Sequence, residues 1–209
     1  MVTRNVNKSM RGVSLIEFML ASLMGSFALI IVGSIFIQNH SITAQRAQEI
    51  LLLQNLSSIA QTMKEDVLLA GYDGINRMAS RLSGSANILH VQNTPTLIGY
   101  VYRAQSGGSS AYRNVVYRRE DESIKLCEKA QPNPLSVVSA ADSGFGGYCY
   151  SLFDPAQISV RDFSVKREEL TGASGVSSAL TTITLGAALT NNPQVNYSLT
   201  FRIQQRNWQ

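Results

Sequence analysis

Between Phe18 and Ile37 the chain runs for 20 residues without a charged side chain. That run limits the available folds more than any other feature. About 20 apolar residues, rising 1.5 Å each as a helix, cross a ~30 Å hydrocarbon core. No proline interrupts the run, and its most polar members, Ser22, Ser26 and Ser34, can bond back to helix carbonyls. A secretory signal has an apolar region of only about 7–15 residues before its cleavage site. This run is longer and leads into further helical pattern, so an uncleaved span is expected. Arg4, Lys8 and Arg11 precede it with no acid among them. They predict a cytoplasmic N-terminus and an exported body. The same three charges explain most of the formal net charge of +4, leaving +1 elsewhere. The main body therefore lacks the footprint of a general nucleic-acid or anionic-membrane surface.

Glu17 stands at the start of the span. An acid deep in hydrocarbon costs about 2.5–3.5 kcal/mol on insertion scales. Near the edge the cost falls, and a helix N-terminus favours negative charge. Glu17 can thus rest at the headgroup level. It can also meet a cation. A cut between Gly12 and Val13 would give Val13 a free amine, mostly protonated at neutral pH with a pKa near 8. Val13 and Glu17 are four apart, on one helix face, and the amine of a neighbouring subunit could serve equally.

The stretch Arg11-Gly12-Val13-Ser14-Leu15-Ile16-Glu17, followed by the apolar run, resembles the processing signal of type IV pilins and type II secretion pseudopilins. The resemblance implies that a prepilin peptidase cuts after Gly12 and methylates Val13, and that Glu17 guides subunit assembly. Val13 departs from the phenylalanine usual at that place, and Ser34 stands where many major pilins carry proline. Leu69-Ala70-Gly71-Tyr72 and the closing strand near Arg206-Asn207 resemble PilW-type minor pilins in particular. The implied partners are other minor and major pilins, the prepilin peptidase and the inner membrane. The implied location is a single-pass inner-membrane protein with a periplasmic head, later in a pilus filament or tip.

Beyond the span, Leu52, Leu56, Ile59, Met63 and Val67 recur at helical spacing, opposite Gln54, Ser58, Gln61 and Glu65. This amphipathic stripe predicts a helix from about Ser14 to Ala70 whose second half packs on a core. Gly71 is a candidate C-cap. Short β-branched or apolar runs then follow at Thr96–Arg103, Asn114–Arg119, Ser123–Leu126, Ile158–Lys166, Ala179–Leu185 and Val195–Gln204. The clearest alternation is Tyr197, Leu199, Phe201 and Ile203. The expected fold is α+β: a long N-terminal helix, transmembrane then amphipathic, packed on an antiparallel β-sheet head. The expected division is a leader (residues 1–12), a span (13–37), an amphipathic helix (38–70) and the head (71–209). Cys127 and Cys149 lie far from the span. If the head is exported, they are expected to form a disulfide.

Catalytic constellations are missing. His40 and His90 have no metal-type partner at helical spacing, and no nucleophile elbow or phosphate-cradling loop is seen. Asp142 and Asp154 lack calcium-loop spacing. Neither a cofactor nor a metal is expected. Tyr112, Arg113, Tyr117, Arg118 and Arg119 interleave aromatic rings with cations, a pattern that suits weak single-stranded DNA contact. Glu120, Asp121 and Glu122 offset those charges, so a salt-bridged strand edge is the plainer expectation. The functional expectation is a non-enzymatic minor pilin that primes or caps assembly and supports adhesion, twitching motility or DNA uptake. A minor pseudopilin of a secretion system is the alternative. A membrane-tethered periplasmic enzyme would need the catalytic cluster that is missing.

Overall fold

The structure, a computed structural model, describes residues 14–74, 79–144, 147–172 and 177–207. Helix α1 spans Leu15–Val67, 53 residues. The chain forms two compact units, Met1–Ala47 and Gln48–Gln209.

In the first unit the described residues are helical from Leu15 onward, and every one up to Ala47 is exposed. The apolar window has a mean hydropathy of 2.3 with none of it buried, long and apolar enough to cross a membrane. Its serines bond back as expected: Ser22 Oγ donates to Met19 O at 2.9 Å, Ser26 Oγ to Ser22 O at 2.8 Å and Ser34 Oγ to Ile31 O at 2.8 Å. Each hydroxyl is thereby satisfied within its own helix, as hydrocarbon requires.

The second unit holds the rest of α1 and all the strands. Leu52, Leu56, Met63 and Val67 are buried along one face, and Ile59 packs beside them. The helix stops at Val67, and Leu68–Gly71 form a turn. Gly71 takes φ +79°, and a Cβ there would lie 2.7 Å from Ile88 Cγ2. Only glycine suits that left-handed, crowded position. Its N–H donates to Val101 O at 2.9 Å, turning the chain onto the sheet.

The strands are β1 (His90–Asn93), β2 (Thr96–Arg103), β3 (Tyr112–Glu120), β4 (Ser123–Gln131), β5 (Tyr150–Ser151), β6 (Ile158–Thr171), β7 (Ser177–Leu189) and β8 (Asn196–Gln204). A short helix, α2 (Val137–Ala141), lies between β4 and β5. The expected antiparallel β head on the long helix is present, divided into a five-stranded sheet, β1 to β5 in chain order, and a three-stranded sheet, β6-β7-β8. All pairings are antiparallel. The break is physical. After β5 the chain begins a new hairpin, and β6 is tied to the first sheet by Glu122, whose carbonyl accepts from Val160 N at 2.7 Å, and by Arg119, which donates to Arg161 O at 3.1 Å. Glu122 also accepts from Ser159 Oγ at 2.6 Å and from Arg161 Nη1 at 3.2 Å.

The main core gathers the α1 stripe with Ile98, Tyr100, Val115 and Tyr117 of the first sheet and Phe163, Ile183 and Ile203 of the second. A smaller core on the other face of the first sheet joins Leu82, Leu97, Val101, Val116, Cys127 and Ala140. Alternation explains the split. Ile98 and Tyr100 face one way while Leu97 and Val101 face the other, so both faces of β2 are buried.

Candidate functional site

Gly12 and Val13 lie outside the described residues. Glu17 sits in the first turn of α1, fully on the surface, and its N–H donates to Ser14 O at 2.9 Å. The unpaired amides of a helix start favour a carboxylate at this place. Among the described residues Glu17 has no ion-pair partner. Leu15, Ile16, Phe18, Met19 and Leu20 around it are all exposed. An acid on an apolar, uncovered helix can rest at a polar boundary, or can pair with a cation, an attraction that is strong in a low-dielectric setting.

The remaining polar groups of the second unit tie elements together. Asp66, on the last turn of α1, accepts the hydroxyl of Tyr100 at 2.7 Å and that of Tyr102 at 2.9 Å. The two rings stack with centroids 6.5 Å apart, and Tyr117 lies 6.5 Å from Tyr100. Burial, reinforced by nearby charge, raises the Tyr100, Tyr102 and Tyr117 hydroxyls above their ordinary pKa. Arg113 covers the Tyr102 ring at 5.9 Å and pairs with Glu128 at 2.7 Å. Farther along, Asp73 accepts from Tyr112 at 3.0 Å and pairs with Arg103 at 3.5 Å. Sequence reading missed Asp66 and Asp73. Their signal was an acid beside a core stripe or a turn, facing tyrosines on a strand whose register was unknown.

These contacts engage the rings and cations of β3 within the fold, as a salt-bridged strand. Tyr117 is buried, Tyr112 is bonded to Asp73, Arg113 and Arg118 are paired with Glu128 and Glu120, and Arg119 donates to Asp121 O and Arg161 O. Rings turned into a core cannot serve as stacking platforms. His90 opens β1 with its Nδ1 3.5 Å from Ser85 Oγ, and His40 is exposed on α1. Among the described residues no three His, Cys, Asp or Glu side chains are placed to hold a metal ion. Asp154 instead closes a turn through Ala156 N at 3.0 Å and Gln157 Nε2 at 3.1 Å, and Asp142 ends α2.

Cys127 and Cys149 form a disulfide, with Cα atoms 4.4 Å apart. It joins β4 to the segment after α2 inside the smaller core. In this way the loop that carries α2 is held against the sheet.

A helix long and apolar enough to cross a membrane, with one acid at its start, runs into an α+β unit stapled by a disulfide. Residues 45–205 match the family model of prepilin peptidase-dependent protein B, and the chain belongs to that family. The match begins beyond the apolar run and so does not depend on it. Among solved structures the chain is similar to a type IV-like pilin from Thermus thermophilus, with 11% identity and a TM-score of 0.48 over 75% of this chain and 97% of that one. No curated protein matches the chain.

Proposed function

We propose that this chain is a minor pilin of the PilW type, one that primes or caps pilus assembly and so supports adhesion, twitching motility or DNA uptake. The observation that carries the reading is Glu17, a lone acid in the first turn of an exposed apolar helix. The name of the family, which speaks of dependence on a prepilin peptidase, supports it. On this reading the peptidase removes residues 1–12 at the inner membrane and methylates Val13. Methylation leaves the amine basic, so a positive terminus remains available to Glu17. As subunits leave the bilayer, the span of one packs among the spans of its neighbours. Glu17 then meets the terminal amine of an adjacent subunit, a pair made strong by its apolar surroundings. The second unit is the periplasmic head, and its disulfide suits an oxidising compartment.

The test is incorporation. Glu17→Gln keeps shape and removes charge. The variant is expected to be inserted and processed normally, yet to be absent from sheared filaments, with filament number falling as in the deletion strain. Filaments of normal number containing the Gln variant would overturn the reading. Loss of protein secretion with pili intact would move the chain to a secretion pseudopilus.

A further inference from the structure

The last turns of α1 and the strand β8 border a groove of about 370 Å³. Lys64 and Leu68 line one side, and Arg202, Ile203, Gln204 and Arg206 line the other. Three cations share this groove, and no carboxylate lines it. The nearby acids are engaged elsewhere. Glu65 accepts from Gln61, Asp66 holds the two tyrosines, and Glu168, within reach of Arg202, is paired with Lys166 at 2.8 Å. Among the described residues Lys64, Arg202 and Arg206 form no ion pair. Three like charges around one groove, only Arg202 among them near an acid, repel one another, and an anionic occupant would relieve that repulsion.

The strand edge is a second, independent observation. β8 ends its sheet, bonded to β7 alone. Gln205 donates its N–H to Ala179 O of β7 at 2.8 Å. Backbone direction alternates along an antiparallel strand, so Gln204, Arg202 and Thr200 turn their N–H and C=O groups to the free side. An extended peptide can satisfy that edge by adding a strand.

We propose that this groove binds an extended acidic segment of a partner protein, which adds to the edge of β8 and sets its carboxylates against Lys64, Arg202 and Arg206. Half-buried Leu68 gives apolar contact to the alternate side chains. If the chain is a pilin-type subunit, a neighbouring subunit is the natural source of the segment; the test below is independent of filament entry.

The full chain in detergent micelles is titrated into a labelled eight-residue peptide of alternating Glu and Val. The comparison probes are the matching Lys/Val peptide and a single-stranded oligonucleotide. The acidic peptide binds saturably and the basic one does not. Its affinity falls with salt, and falls roughly tenfold or more in K64Q/R202Q/R206Q, a change of exposed side chains only. Amide exchange slows at Thr200, Arg202 and Gln204 of the wild-type chain when the peptide is bound. Equal binding of both peptides, or unchanged exchange along β8, overturns the proposal, as does tighter binding of the oligonucleotide. The wild-type measurements decide the matter even if the variant is poorly behaved.

Discussion

Asp66 holds two tyrosine hydroxyls with one carboxylate, and the main core closes around them. Asp66→Ala strands both donors in a buried setting, where each unmet group costs about 1–3 kcal/mol. The expected loss is about 3 kcal/mol in denaturant unfolding of the full chain, and larger than that of Tyr102→Phe, which removes a donor and leaves no orphan. A smaller loss for Asp66→Ala than for Tyr102→Phe would show that the carboxylate does not organise the site. The same cluster sets a pH dependence. Tyr100, Tyr102 and Tyr117 all titrate above the ordinary value of 10.0 when folded. Their neutral forms favour the fold, so this contribution is complete below about pH 10 and is lost as pH rises beyond it. A melting-temperature series should be flat in this respect to about pH 10 and fall above it, and Tyr100→Phe should soften the fall. None of this was readable beforehand. The stripe Leu52, Leu56, Met63 and Val67 announces its face by spacing alone, whereas the partners of Asp66 depend on how β2 lies across the helix.

At the scale of elements, the turn after α1 and the disulfide loop carry the sharpest expectations. Gly71→Ala combines a left-handed backbone with a Cβ 2.7 Å from Ile88 Cγ2. It should cost about 2–3 kcal/mol. Nearby, Asn207 Nδ2 donates to Ala70 O at 2.7 Å, satisfying a carbonyl beyond the helix end. Asn207→Ala should cost about 1 kcal/mol by the same unfolding measurement. Replacing Cys127 and Cys149 with serine opens a loop with a sequence separation of 22. About 3 kcal/mol should be lost by the chain-entropy account, and proteolysis should concentrate between β4 and β5. The strands with strong alternation or β-branching were legible. β2 occupies Thr96–Arg103 as its residues predict, and β8 falls within the expected Val195–Gln204. β5 has two residues and α2 has five, too short for any period to register. The end of β6, from Arg167 to Thr171, is polar apart from Leu170 and mostly exposed, held by its long hairpin with β7 and not by a core face. The stripe predicts a helix to about Ala70, whereas α1 ends at Val67 and the chain turns so that Gly71 N bonds Val101 O.

Across the whole molecule, the proposed reading has one carboxylate, Glu17, connect membrane insertion, processing and assembly. The apolar run and Glu17 were plain in the sequence, since length and charge alone define them. The cationic groove on β8 was not, because Lys64 and Arg206 are separated by most of the chain and only the fold brings them together. The account requires that the mature chain carry a charged amine at Val13. Mass spectrometry of the N-terminal peptide, from protein extracted from membranes of a host with its prepilin peptidase, reads this directly. The expected peptide begins at Val13 and carries one added methyl group. In a peptidase-deficient host it begins upstream of Gly12. A chain that keeps Arg11-Gly12 at its terminus in the peptidase-bearing host, and still enters filaments, would contradict the account.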